Sequence, residues 1–162
     1  ALERWGVRLM ERFDPKPKWD VKVYAWNDST THPVKSAAAF DSLLAGLKNA
    51  PAYAVTTPRL DYMWYRPRIQ GWPAEKYGVA ASAEVMLPAG AGVSYSLRTI
   101  SDDGIRVWVD DTLVIEDWTV HESKVIEVPI ATGKHRIRVV YWQDGGWAEL
   151  RTEFVRKESV AR

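Results

Sequence analysis

Apolar and polar residues alternate in short runs from Glu84 to near the end of the chain, with turn-forming residues between the runs. Glu84 to Leu87 leads into the cluster Pro88-Ala89-Gly90-Ala91-Gly92. Val93, Tyr95 and Leu97 then oppose Ser94, Ser96 and Arg98, a period of two that predicts a strand with one buried face. Ser101-Asp102-Asp103-Gly104 interrupts the pattern, after which Ile105, Val107 and Val109 alternate with Arg106, Trp108 and Asp110. Asp110-Asp111-Thr112 predicts a tight hairpin into Leu113-Val114-Ile115. Beyond a loop over 116–122, Ile126, Val128 and Ile130 share one face of a strand. Ala131-Thr132-Gly133-Lys134 turns the chain into a strand over 135–142. There Ile137, Val139 and Tyr141 take one face, and Arg136, Arg138 and Trp142 the other. Gln143-Asp144-Gly145-Gly146 turns it again into a last strand over 147–155. Strands of this length at this spacing predict an all-β antiparallel sandwich or barrel.

The first half carries weaker signals. Strands are predicted over 5–13 and 21–26, and Leu60-Asp61-Tyr62-Met63-Trp64-Tyr65 reads as another before Arg66-Pro67. The single predicted helix covers 36–49: Ser36 stands at its cap, Phe40, Leu43, Leu44 and Leu47 fall on one face, and Pro51 ends it. No repeat, low-complexity run or linker divides the chain, so residues 1–162 are read as one domain.

Composition narrows the function classes. Lys and Arg number 22 against 21 Asp and Glu, a net charge of +1, without the basic excess of a nucleic-acid clamp. The absence of Cys removes disulfides, thiolate chemistry and Cys-type zinc sites. No apolar run approaches the roughly 20 residues that a bilayer span needs, so no membrane insertion is expected. Ala1-Leu2-Glu3-Arg4 has no basic-then-apolar leader pattern, which reads either as a trimmed chain or as a domain cut from something longer. Nine Trp and seven Tyr in so short a chain argue against disorder and for ring contact surfaces beyond the core.

Enzyme motifs are absent: there is no phosphate loop, nucleophile elbow or zinc helix, and His32, His121 and His135 are not spaced as ligands. A carboxylate pair for glycoside hydrolysis depends on proximity that spacing does not supply, so the hydrolase reading stands as an alternative. The most informative segment is Ser101-Asp102-Asp103-Gly104. Two adjacent acids there are either a self-bonded turn or an oxygen-rich cation site.

The run from Ser101 through Asp110, followed by Leu113-Val114-Ile115-Glu116-Asp117-Trp118 and His121, resembles the protective-antigen-type (PA-fourteen) domain family. Gly133 to Tyr141 and Gly146-Trp147-Ala148-Glu149-Leu150 are similar to that family's closing hairpin. Gly6-Val7-Arg8-Leu9 to Phe13 is similar to its opening strand, and Leu60 to Trp64 to its second conserved strand. The resemblance implies a two-sheet β-sandwich, with the 36–49 helix as an insertion. It also implies a non-catalytic carbohydrate-binding, lectin-like module of a larger secreted, cell-surface or adhesin-type protein. Calcium would be held by Asp102 and Asp103 across a cis peptide, and a glycan would share the ion. Lectin members carry Asn at the position of Gln143, one methylene shorter, and Trp at the position of Trp147. The implied metal ligands are therefore Asp102, Asp103, Gln143 and Asp144, and the implied sugar contacts are Asp102, Asp103, Trp147, Trp142 and Trp72. Trp118 reads as a packing residue, and Trp108 either covers a second face of its sheet or is exposed. The rival to this reading is a structural or protein-interaction module in which the Asp pair is only a turn.

Overall fold

The computed structural model describes residues 7–46 and 50–160. Its elements in chain order are β1 (Val7–Phe13), β2 (Trp19–Ala25), α1 (Ala37–Leu44), β3 (Tyr53–Thr57), β4 (Asp61–Trp64) and β5 (Tyr77–Leu87). They continue with β6 (Val93–Asp102), β7 (Ile105–Val109), β8 (Thr112–Asp117), β9 (Lys124–Ile130), β10 (Gly133–Gln143) and β11 (Ala148–Val160). Two antiparallel sheets result. One runs β1-β11-β6-β9, with β4 also on β11; the other runs β3-β2-β5-β10-β7-β8. The all-β, two-sheet sandwich with one inserted helix is thus the observed architecture.

The alternation read from the sequence is what places the core between the sheets. Val21 and Val23 of β2, Val79 and Ala81 of β5, Ile137, Val139 and Tyr141 of β10, and Ile105 and Val107 of β7 are all buried on the inner face. Leu97, Leu150 and Phe154 meet them from the other sheet. Asp110 and Asp111 both adopt positive φ, 49° and 67°, the two-residue turn that the β7–β8 hairpin needs. Two elements were not legible. β3 alternates weakly, and the first half of β5, Val79-Ala80-Ala81-Ser82-Ala83, is built of small residues that carry little amphipathic contrast.

α1 is shorter than its predicted 36–49 span. Ser36 makes no side-chain cap, and the helix ends at Leu44; beyond it Gly46, at a φ of +68°, donates its amide back to the Leu43 carbonyl at 3.1 Å. Residues 47–49, with Leu47, lie outside the described residues, as do 5 and 6 of the first predicted strand. The helix lies on the outer face of the six-stranded sheet. Phe40 and Leu44 pack there with Tyr24, Trp26, Val140 and Trp142 in a second apolar cluster. Gly78 makes the approach possible, because a Cβ at that position would sit 2.6 Å from Phe40 Cζ. Phe40→Ala is therefore expected to cost about 3–5 kcal/mol, read as a lower urea midpoint at unchanged m value. A loss under about 1 kcal/mol would mean that α1 is not integral to the sandwich.

Candidate functional site

Strand register brings the candidate residues to one end of the sandwich. Asp102 ends β6 in the five-stranded sheet and Ile105 begins β7 in the other, so the Asp pair lies where the chain crosses between sheets. Asp102 pairs with Glu149 at the start of β11, Ile105 with Tyr141 near the end of β10 and with Asp117 at the end of β8, and Gln143 with Tyr77. Four sheet-crossing connections, 65–76, 103–104, 118–123 and 144–147, therefore converge at this end.

The Asp102–Asp103 peptide is cis, as the resemblance implies. Both residues are buried, at 9% and 4% exposure, in a segment that spacing alone leaves open between a self-bonded turn and a cation site. Asp103 ties two neighbouring loops together. The His121 amide donates to its Oδ1 at 3.3 Å and the Asp144 amide to its Oδ2 at 3.0 Å. The buried Tyr141 hydroxyl donates to the Asp102 main-chain carbonyl and lies 3.0 Å from Gln143 Oε1. Gly104 is obligatory beside the pair, since a Cβ there would fall 2.1 Å from Trp142 Nε1.

Electrostatics follow from this burial. Desolvation, then the neighbouring Asp103 charge, pushes the Asp102 carboxyl up to about 6, against a partial offset from His121. Burial also raises Asp103, opposed by the two amides that donate to it. No Lys or Arg pairs with either carboxylate among the described residues; the nearby cation, Lys76, is instead 2.8 Å from Asp144 Oδ1 and 3.1 Å from Asp28. The result is a pair of hard oxygen donors with little positive charge to balance them, chemistry that suits an oxygen-preferring divalent cation. Among the described residues no group of three or more His, Asp or Glu side chains gathers around a common point, so further ligands would have to be loop carbonyls or ligand hydroxyls.

Four sequence expectations are corrected here. Gln143 is buried and its amide is already engaged, Oε1 near Tyr141 and Nε2 donating to the Trp147 carbonyl at 3.0 Å; it braces the β10–β11 loop. The Asp144 carboxylate is taken by Lys76, and it is the Asp144 amide that faces Asp103. Trp142, fully buried, belongs to the cluster beneath α1, where a position that alternates outward has been covered by the inserted helix. Trp72, at 7% exposure, packs among Tyr53, Tyr62, Trp64 and Tyr77 in the main core. Neither ring is open to a sugar. Trp118 does pack, against Phe40 and Trp142, with its indole N–H donating to the Pro33 carbonyl at 3.2 Å.

Trp147 is half-buried and meets Tyr65 edge to face, with ring centroids 5.0 Å apart. Tyr65, 71% exposed, was not singled out in the sequence, because 82 positions separate it from Trp147 and only the pairing of Trp64 with Ala148 brings them together. Tyr65, Trp147, Met63, Arg66 and Arg68 line an open groove of about 670 Å³ at the same end.

A carboxylate whose pKa is raised by folding stabilises the protein at low pH and loses that contribution as pH climbs through the folded value. For Asp102 the window runs from pH 3.8 to about 6. Asp110 and Asp117, whose pKa values are lowered, act in the opposite sense, so the comparison is with Asp102→Asn. In excess chelator, the urea midpoint of the native protein is expected to fall relative to that of Asp102→Asn across this window. A constant or rising difference would contradict the electrostatic description.

A model of the family described as PA14 domain matches residues 47–159. Among solved structures, the chain is similar to a PA14 sugar-binding domain from an RTX adhesin, at 19% identity and a TM-score of 0.59, covering 85% of this chain and 88% of that one. It is similar to an anti-sigma factor domain-containing protein at 20% identity and a TM-score of 0.65, covering 88% of this chain but only 46% of that one. It is also similar to the Epithelial Adhesin 9 A domain from Candida glabrata, solved in complex with Galβ1-3GlcNAc, at 11% identity and a TM-score of 0.58, covering 90% and 82%. No curated protein sequence matches the chain.

Proposed function

This chain belongs to the PA14 domain family, and we propose that it is a non-catalytic carbohydrate-binding module whose site is built on the Asp102–Asp103 turn. The observation that carries the reading is the pair of buried carboxylates without a cationic partner among the described residues. Calcium fits this donor set: it takes six to eight oxygen ligands and prefers carboxylates and carbonyls. Asp102 and Asp103 would hold it, and what the ion supplies is a coordination shell that hydroxyl oxygens of a glycan can complete. Two of the similar structures support the ligand class, one described as a sugar-binding domain and one bound to Galβ1-3GlcNAc.

The chain's own groups do the rest. Amides of His121 and Asp144 fix the Asp103 carboxylate, Tyr141 fixes the main chain at Asp102, and Gln143 holds the β10–β11 loop so that Trp147 stands beside Tyr65. An aromatic ring accepts the apolar face of a pyranose, and burying both surfaces favours contact. One ion and a pair of rings at an open site imply a Kd of about 1 mM to 1 μM, roughly −4 to −8 kcal/mol. Display on a larger parent would raise avidity. Because the chain spans 46% of the anti-sigma factor domain-containing protein and most of the adhesin domains, the parent is proposed to be a longer secreted or surface protein with further domains. A calcium site of this kind fills at the 10⁻⁴–10⁻³ M affinities typical of extracellular modules. No helix among the described residues is long and apolar enough to cross a membrane.

A second reading has one observation behind it. Asp103 already accepts two amide hydrogens from two loops, which is a sufficient structural role for a turn without metal. Thermal melting separates the two readings. Calcium at 100 times its Kd is expected to stabilise the dialysed native protein by about 2.7 kcal/mol, and Asp103→Ala is expected to abolish the response. Trp147→Ala should keep the calcium response and lose glycan affinity. Melting indifferent to millimolar calcium and to chelator would leave the structural-module reading in possession.

A further inference from the structure

We propose that the outer face of the six-stranded sheet, beside α1, is a second binding surface that takes carboxylate-bearing sugar chains, independently of the Asp102–Asp103 turn. α1 covers only one part of this face, over Gly78 and Trp142. The strands beyond it leave a trough. Antiparallel register aligns Lys22, Ala80, Val140 and Arg106 across β2, β5, β10 and β7, and Asp20, Ser82, Arg138 and Trp108 in the next row. Small side chains at 80 and 82 keep the floor low, while the end of α1 closes one side. The cavity measures about 490 Å³ and adjoins a second of about 310 Å³ that shares Trp108, Arg136 and Arg138.

The guanidinium groups give the trough its chemistry. Arg138 places its guanidinium carbon over the Trp108 indole, 4.0 Å from the ring centroid, and Arg106 over Trp118 at 3.9 Å. A guanidinium stacked this way is held in place while its in-plane N–H donors stay available, the fork that matches a planar carboxylate. Arg106 spends its Nε on Glu116 at 3.1 Å. The Asp110 carboxylate accepts from the Arg136 main-chain amide at 2.8 Å, but the guanidinium groups of Arg136 and Arg138 have no carboxylate oxygen within 4.0 Å among the described residues, although both side chains are exposed at successive outward positions of β10.

The same surface argues against other occupants. Asp20, Asp41 and Asp111 also line the two cavities, so a continuous phosphate backbone would meet repulsion along its length, whereas a chain with isolated carboxylates would not. β5, β10 and β7 are paired on both sides. An extended acidic peptide therefore finds no free strand edge for its backbone hydrogen bonds, and sugar hydroxyls need none.

The test titrates the native protein, in excess EDTA, with a short hyaluronan oligosaccharide, in which only every second sugar carries a carboxylate, with its carboxyl-reduced neutral counterpart, with an acidic peptide and with a single-stranded oligonucleotide. The hyaluronan oligosaccharide is expected to bind, more weakly as salt rises from roughly 50 to 200 mM, and the neutral counterpart at least about ten-fold more weakly. Replacing both arginines (Arg136→Ala with Arg138→Ala) should lose at least about ten-fold, whereas Asp103→Ala should bind the uronate undiminished, which separates this surface from the calcium reading. If the double variant melts early because Trp108 loses its cover, Arg138→Lys, which keeps the charge and removes the fork, is expected to show the same direction of loss. No uronate binding in EDTA, binding unchanged in folded arginine variants, or equal binding of the peptide or oligonucleotide would each overturn the assignment.

Discussion

Everything at the functional end depends on two adjacent carboxylates being held under cover with little positive charge to balance them. A buried carboxylate is costly unless it is bonded, neutralised or ligating, and Asp103 is only partly satisfied by two amides. Lys76, close enough in the fold to matter, is drawn off by Asp144 and Asp28. The loops around the pair are thereby committed to one another, since the amides that bond Asp103 come from the β8–β9 and β10–β11 connections. Position follows from topology: strands that end together in both sheets must send their crossing loops to the same end, and the acids sit on the shortest of them.

The inserted helix has consequences at both faces of its sheet. By covering Trp142 it converts an outward strand position into a second core, and that ring in turn presses on Gly104 next to the Asp pair. The same helix ends at Leu44 and covers only part of the outer face; among the described residues, guanidinium groups over indoles line a trough of small residues on the rest. Tryptophan content, read first as a sign of contact surface, divides three ways among the described residues: Trp19, Trp26, Trp64, Trp72 and Trp142 pack in or against the two cores, Trp108 and Trp118 support arginines, and Trp147 borders the candidate sugar groove.

Much of this was legible in the chain. Period-two alternation from Val93 onward located β6, β7 and β10 and their buried faces, because a half-buried strand must alternate. The Asp102–Asp103 turn and Trp147 stood out through residues flanking them. What the chain concealed was what depends on distant partners. Ala80 and Ser82 carry no pattern until the sheet aligns them with Val140 and Arg138. Trp72 and Trp142 looked available because local alternation and a Gly-Pro loop say nothing of what packs over them. Tyr65 became relevant only through the β4–β11 register, and the engagement of Gln143 and Asp144 only through Tyr141 and Lys76.

The most direct measurement is an anomalous difference map from crystals grown with calcium and a simple sugar. The account predicts a peak between the Asp102 and Asp103 carboxylates, with ion–oxygen distances of about 2.3–2.6 Å and sugar hydroxyls completing the shell. Density showing only water over the two acids, with the sugar bound elsewhere or not at all, would contradict it.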